Sequence, residues 1–345
     1  MQDVHTSRLR TRIAITRCLV AFGAGAIAVA CSDPTTAPQP SNTGGPLASA
    51  TLGSPNGVVA GKILLGGGPW GVDVSTNGVV YVTQLFSSQV AVSSISAQTI
   101  GAEIGVGSIP TGVVFAPNGR TAYVTNQFDG ALGVIDVASG VETATIPLPD
   151  GSNPFAVAVS PHGNQIFISS NQTSVFVADA HTLAIVDAIP VGAAPNAFAL
   201  SPNGKHFFVS SFVGGTVTEF DIASHAVVRT YAAGGAPQGL TTNKKGSELY
   251  VVNEGGFVTL FSIATGATLR TLPLAAGGFG AAVTADDVHL YITEPAIGIV
   301  QVVNLQNRKM QGSINVGGEP RRIAFNSTGK VGVVANLAGY ITFIK

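Results

Sequence analysis

Residues 198–228 read FALSPNGKHFFVSSFVGGTVTEFDIASHAVV and carry the pattern that decides the fold. Four short apolar runs follow one another in this stretch, and turn-forming residues separate each run from the next. Valine and phenylalanine favour strands, and Pro-Asn-Gly favours a tight turn with glycine in the left-handed conformation. Because four strands in so few residues leave no room for a helix, the stretch predicts a four-stranded meander.

The same pattern occurs seven times along the chain. A turn recurs in step with the strands, and it ends in Gly in six copies and in Asp287 in the remaining one. One apolar position recurs at intervals of 41 to 43 residues, at Ile63, Ile104, Ile146, Ile189, Tyr231, Leu272 and Ile314. A period of about 40–45 residues with four strands per unit is typical of a propeller blade. We therefore predict an all-β fold, a seven-bladed β-propeller of four-stranded antiparallel blades, over residues 58–345.

The seventh copy contains three strands, and the missing outer strand has a candidate at the other end of the domain. Residues 58–65 have the pattern of an outer strand and precede the first inner strand, at 70–74. An open meander would leave an exposed edge. We therefore expect the N-terminal strand to close the last blade, with several half-buried apolar side chains in it.

The composition agrees with an all-β domain. Of 345 residues, 43 are Gly and 19 are Pro, whereas 46% are hydrophobic and only 10% are charged. Disordered chains show the opposite balance of apolar and charged residues. So many helix breakers, with so few of the charged residues that populate helix surfaces, exclude a helical bundle or coiled coil.

Short motifs within the repeats carry a family resemblance. Tyr123-Val124-Thr125-Asn126 spells YVTN, and variants occur at 81–84, 250–253 and 291–294. With the Ser-Pro-Asn-Gly turns and the Val-Ile-Asp at 134–136, these motifs resemble the YVTN-repeat, YncE-like β-propeller family over residues 58–345. The resemblance implies the propeller fold. It does not select an activity, because the family is functionally mixed, and seven-bladed relatives include lactonase-like enzymes.

The first 57 residues differ from the repeats. Four arginines precede an apolar run from Cys18 to Ala30, which is shorter than the roughly 20 residues of a membrane-spanning helix and reads as a secretory signal. Ala28-Val29-Ala30-Cys31 resembles a bacterial lipobox, although Ala28 stands where that motif has Leu. We interpret 1–30 as a lipoprotein signal peptide and Cys31 as the lipidated residue. The alternative is ordinary signal cleavage nearby, with Cys31 an incidental thiol.

The segment 31–57 is rich in Ser, Thr, Pro and Gly and predicts a flexible tether between the lipidated cysteine and the propeller. Ser32 follows the cysteine, and its resemblance to lipoprotein sorting signals implies anchoring in the outer membrane of the bacterial envelope. Without residues 1–30 the net charge is −4, since four of 17 basic and one of 18 acidic residues are removed. Nucleic acid binding needs clustered cations and is therefore not expected.

Candidate site residues come from the face opposite the Ser-Pro-Asn-Gly turns. We call it the upper face; it carries the turns between second and third strands and the connections between blades. Its loops vary between copies, whereas the opposite, lower face repeats one small polar turn, and variable loops on a rigid scaffold often carry function. The candidate binding residues are Trp70, Phe86, Phe128, Phe155, Phe212, Glu254, Glu294 and Arg321.

Two functional hypotheses follow. The first is a non-enzymatic, monomeric binding platform without a cofactor, anchored by lipid and displaying its upper face to a protein, peptide or glycan of the envelope. The second is a metal-dependent lactonase- or lyase-like enzyme at the upper mouth of the central channel. Glu254 and Glu294, which we place at equivalent positions of neighbouring blades, would then hold Ca²⁺ or Mg²⁺ or act as acid and base. No catalytic residue is otherwise indicated.

Overall fold

The computed structural model describes residues 18–20, 29–31, 57–170 and 172–345. The chain divides into two units, 1–49 and 50–345. In the first unit, β1 (Cys18–Val20) pairs antiparallel with β2 (Val29–Cys31). The predicted signal peptide, lipidation and tether otherwise fall outside the described residues. No helix within the described residues is long and apolar enough to cross a membrane.

The second unit consists of seven four-stranded antiparallel blades, as the repeat predicted. Blades 1 and 2 comprise β4 (Pro69–Val74), β5 (Val79–Gln84), β6 (Gln89–Ser94), β7 (Ala102–Gly105), and β8 (Pro110–Phe115), β9 (Thr121–Asn126), β10 (Ala131–Asp136), β11 (Val141–Pro147). Blades 3 and 4 comprise β12 (Pro154–Val159), β13 (Gln165–Ser170), β14 (Ser174–Asp179), β15 (Ala184–Pro190), and β16 (Pro195–Leu200), β17 (His206–Ser211), β18 (Thr216–Asp221), β19 (Val227–Ala232).

The remaining blades follow the same order, from inner to outer strand. Blades 5 and 6 comprise β20 (Pro237–Thr242), β21 (Glu248–Asn253), β22 (Phe257–Ser262), β23 (Thr268–Pro273), and β24 (Ala281–Val283), β25 (His289–Glu294), β26 (Ile299–Asn304), β27 (Lys309–Asn315). Blade 7 comprises β28 (Pro320–Phe325), β29 (Gly332–Asn336), β30 (Tyr340–Ile344) and β3 (Val59–Leu64). A short 3₁₀ turn, Pro295–Ile297, joins β25 to β26.

The recurring lower turn has the geometry that its residues predict. Gly78, Gly119, Gly163, Gly204, Gly246 and Gly329 all have φ between 66° and 82°, and Asp287 has φ 57°. Asp tolerates the left-handed conformation better than most residues with a Cβ. The exceptional copy therefore keeps the same turn.

The N-terminal strand closes the ring, as predicted. β3 pairs with β30, with Ile63 opposite Ile341 and Leu64 opposite Tyr340. Of the half-buried apolar side chains expected in 58–65, Ile63 and Leu65 are partly buried against a core cluster, whereas Val59 and Leu64 are exposed. Closure therefore rests mainly on the main-chain ladder to β30, because the other side of an outer strand faces solvent.

The hydrophobic core lies between the blades rather than at a single centre. Leu132 and Val134 of blade 2 pack with Ile166 and Ile168 of blade 3, and similar clusters fill the other contacts between neighbours. The middle strands of each sheet are therefore buried on both faces, which explains why they are almost continuously apolar. This packing leaves the loops of the two faces free to vary.

Candidate functional site

The upper mouth of the central channel is formed by one residue from each blade, the second residue of the segment that runs as its innermost strand. In the inner strands β4, β8, β12, β16 and β28, the first residue pairs with the neighbouring strand, and pairing resumes only at the fourth residue. Bulges of this kind redirect side chains. The residues at the second position are Trp70, Thr111, Phe155, Asn196, Gln238, Phe279 and Arg321.

Hydroxyl groups of the YVTN motif hold these bulges in place. The Thr83 Oγ1 accepts a hydrogen bond from the Gly71 N–H at 2.8 Å and donates one to the carbonyl of Thr111, in the next blade, at 2.9 Å. Thr293 acts in the same way, accepting from Gly280 at 2.7 Å and donating to the carbonyl of Arg321 at 2.6 Å. The motif thus fixes the mouth residue of the following blade.

Three aromatic rings and a guanidinium pack together at this mouth. Trp70 meets Phe155 edge-on at a centroid distance of 6.1 Å and Phe279 at 5.4 Å. The Arg321 guanidinium lies 4.8 Å from the Trp70 ring and 5.1 Å from the Phe279 ring, within the range of cation–π attraction. Trp70 is only 5% exposed and the Arg321 side chain 20%. Of the predicted residues, Trp70, Phe155 and Arg321 are therefore brought together.

A second guanidinium, which the sequence analysis did not select, reaches across the channel beside this cluster. Arg322 donates to the Gln238 carbonyl at 3.2 Å and to the Asn196 Oδ1 at 3.4 Å, from blade 7 to blades 5 and 4. Its guanidinium also lies 4.9 Å from the Phe279 ring. Burial, helped by the adjacent Arg321 charge, lowers the pKa of Arg322 to about 10, so the group remains protonated at neutral pH.

The sequence repeat by itself sets Arg322 apart from the equivalent residues of the other blades. The equivalent residues in the other blades are all Gly or Ala, namely Gly71, Gly112, Ala156, Ala197, Gly239 and Gly280. A departure from a repeat at one position would have singled out Arg322 without any structure. The direction of its side chain could not have been inferred, because its partners lie 84 and 126 residues away along the chain.

A cavity of about 300 Å³ lies along the inner strands next to these side chains. Most of its lining residues have apolar side chains, among them Val72, Val114, Leu200 and Leu240, and Arg322 is the charged side chain in it. Trp70 and Phe155 also line it. The volume is at the lower end of the range of small-molecule sites in proteins.

The prediction that Glu254 and Glu294 occupy equivalent positions is wrong. Glu294 is the last residue of β25 and corresponds to Asn253, the last residue of β21, so Glu254 lies one position further along. Asn253 accepts hydrogen bonds from the Ala236 and Gly255 amides, and Glu294 Oε2 likewise accepts one from the Ala276 amide at 2.5 Å. Glu294 is therefore buried as part of a loop anchor.

Glu254 has a different environment. It lies at the surface, and its Oε1 accepts a hydrogen bond from Gln238 Nε2 at 2.8 Å. Partial desolvation raises the pKa of its carboxyl group, whereas this hydrogen bond and the charges of Arg321 and Arg322 oppose the rise. No group of three His, Cys, Asp or Glu residues that could hold a metal ion occurs in the part of the chain that the structure describes.

Three of the four predicted phenylalanines, Phe86, Phe128 and Phe212, lie in upper-face turns. Phe86 is 62% exposed and Phe128 75%, whereas Phe212 is only partly exposed. Two further large apolar side chains, Val213 and Ile297, are exposed in turns of the same face. Within the described residues, the lower-face turns contain none of the exposed large hydrophobic side chains. Apolar exposure in the turns is thus confined to one face.

Comparisons with known proteins agree on the fold. The model of a family described as YNCE-like beta-propeller matches residues 56–247. No curated protein matches the chain. Among solved structures, Kuenenia stuttgartiensis hydrazine synthase is similar with a TM-score of 0.75 and 19% identity, covering 83% of this chain and 97% of that one. An identity this low shows a shared fold and no more.

Proposed function

Since the chain belongs to the YncE-like β-propeller family, we propose that it is a lipid-anchored binding platform of the bacterial cell envelope that captures a partner through its upper face. The observation that carries this proposal is the asymmetry between the two faces. Phe86 and Phe128 project from upper turns of neighbouring blades, and exposed aromatic residues among polar groups are enriched in protein interfaces.

The partner that suits this surface best is a protein or peptide. The exposed side chains Phe86, Phe128, Val213 and Ile297 are apolar, and burying them against apolar side chains of a partner would remove them from water. Glu254 and the ion pair between Glu319 and Arg321 add charged groups at the same face. A glycan is the competing ligand, and its binding would depend on the rings of Phe86 and Phe128 alone.

The enzyme hypothesis has weaker support. It requires Glu254 and Glu294 to share one cation, yet the carboxylate of Glu254 is hydrogen-bonded to Gln238 and that of Glu294 to the amide of Ala276. A shared site would first have to release both contacts. Metal analysis of the purified protein, compared with a Glu254→Gln variant, tests this: stoichiometric Ca²⁺ or Mg²⁺ that the variant loses would favour the enzyme.

Partner capture tests the platform directly. The Phe86→Ala/Phe128→Ala variant, incubated with the native envelope fraction, should recover at least about tenfold less of the partner than wild type, since truncating one hot-spot aromatic residue typically costs about 2 kcal/mol. The matched control is Val186→Ala/Val227→Ala, which removes equally exposed apolar groups from outer strands. Equal recovery by both variants would refute the assignment of the binding face.

Anchoring is tested separately. The proposal requires cleavage before Cys31 and acylation of its thiol, and two or more acyl chains give stable membrane attachment. Cys31→Ser should shift the protein from the membrane fraction to a soluble exported fraction or leave the precursor uncleaved. A wild-type N-terminal peptide without added lipid mass would contradict this part of the proposal and leave the platform intact.

A further inference from the structure

Arg322 occupies a position that the fold reserves for small residues. Neighbouring inner strands approach so closely there that a Cβ on Gly71 would collide with the carbonyl oxygen of Thr111, and one on Gly280 would lie 2.5 Å from that of Arg321. The other six blades have only Gly or Ala at this point. Natural sequences break a local rule of their fold mainly at functional sites.

The charge of Arg322 has no ion-pair partner among the described residues, although Glu254 acts on it electrostatically from a greater distance. Its two hydrogen bonds, at 3.2 and 3.4 Å, are long and go to neutral acceptors. By contrast, Arg308 binds Glu248 at 2.6 Å and Arg321 binds Glu319 at 2.8 Å. Of the carboxylates in the described chain, none lies within ion-pair distance of Arg322. Arg322 is only partly buried, and besides these hydrogen bonds its guanidinium meets the rings of Phe155 and Phe279, so a bound anion can still supply a direct counter-charge.

The space next to this guanidinium has a defined chemistry. The cavity of about 300 Å³ offers one charged side chain, Arg322, beside apolar side chains such as Val72, Leu200 and Trp70, and polar groups of the lining are exposed as well. A ligand that complements Arg322 and these apolar side chains carries one negative charge and an apolar body. A planar guanidinium pairs with a carboxylate through two parallel hydrogen bonds. A doubly charged phosphate would leave one charge uncompensated among apolar walls.

We infer that the central channel binds a small organic monocarboxylate, with its carboxylate on Arg322 and its apolar body against the aliphatic walls of the inner strands. Asn196 and Gln238, which already hold the guanidinium, orient it toward the cavity. The inference goes beyond the proposed platform, because it concerns the channel and not the exposed loops.

Trp70 provides the readout. It is the single tryptophan of the chain, it lines the cavity, and it packs against Arg321. Titration of the purified protein with hexanoate should change the Trp70 emission in a saturable manner. Hexanamide, which has the same apolar body without the charge, should bind at least tenfold more weakly. Equal affinity for hexanamide would overturn the inference, and so would tighter binding of inorganic phosphate.

Two variants locate the binding. Arg322→Met keeps much of the apolar stem and removes the charge, so it should abolish hexanoate binding while remaining folded by thermal unfolding. Arg308→Met, which removes a paired arginine elsewhere, should bind hexanoate like wild type. A folded Arg322→Met protein with wild-type affinity would refute the site. The Phe86→Ala/Phe128→Ala variant should keep hexanoate binding, so that failure of the platform and failure of the channel site are told apart.

Discussion

The hydroxyl of Thr83 offers the sharpest test of how the YVTN motif builds the mouth of the channel. This side chain is fully buried, accepts the Gly71 N–H at 2.8 Å and donates to the Thr111 carbonyl at 2.9 Å. Thr83→Val keeps the shape and removes both hydrogen bonds. The buried amide of Gly71 then loses its acceptor, because the bulge removes it from the strand ladder.

The expected cost follows from that amide. Leaving one buried donor unsatisfied costs about 1–3 kcal/mol, and the added methyl group offsets little of it. For a domain of this size, a loss of about 2 kcal/mol lowers the thermal midpoint by about 4 °C. Because Gly71 follows Trp70, the tryptophan emission of the folded variant should change as well.

Two variants control the interpretation, with thermal and urea unfolding as the assay. Thr83→Ser keeps the hydroxyl and should retain most of the stability, since Ser169 and Ser210 accept the equivalent amides in blades 3 and 4 at 2.9 Å. Thr145→Val changes an exposed threonine and should be nearly neutral. The reasoning is refuted if Thr83→Val is as stable as wild type.

Three further predictions concern stability. Deleting residues 58–65 should lower the free energy of unfolding by about 3 kcal/mol or more, which unfolding curves would reveal. It should also expose the edge of the strand Tyr340–Ile344, and sedimentation would reveal the association that follows. An unchanged unfolding midpoint would contradict ring closure by this strand. Burial raises the pKa of Asp73 from an ordinary 3.8 to about 6, so the native state binds more protons than the unfolded chain between about pH 4 and pH 6. The free energy of unfolding should therefore fall by up to about 3 kcal/mol as the pH rises through that window. Asp73→Asn should lose this slope in urea unfolding, and a slope that persists would assign it to another group. Gly71→Ala should lower the free energy of unfolding by about 2 kcal/mol through overpacking. Gly105→Ala should leave it unchanged, because there is open space around the new methyl group. Equal denaturation midpoints of the two variants would refute the close approach of the blades.

Much of the architecture was predictable because its causes are local. The turn glycines, Asp287 in the left-handed conformation and the alternation of short apolar runs depend on residues that are neighbours in sequence. Seven copies of such a unit leave few alternatives to a ring, and the outer-strand pattern of 58–65 even indicated how the ring closes. Trp70, Phe155 and Arg321 could be placed at one mouth because each holds the same position in its repeat.

The chemistry of the channel was decided by the tertiary structure. Whether a side chain near the start of an inner strand points into the channel or into the wall depends on the bulge, and the bulge depends on a hydroxyl from another strand. A shift of one residue separated Glu254 from Glu294, because Glu294 is the last residue of its strand whereas Glu254 is the first residue of the turn that follows the equivalent strand. Arg322 meets Asn196 and Gln238 only because seven blades close into a ring, which brings distant segments within reach of one side chain. The sequence alone determined the blades and their order, since these follow from local pattern, whereas the contacts across the channel arise from long-range closure that no local pattern encodes.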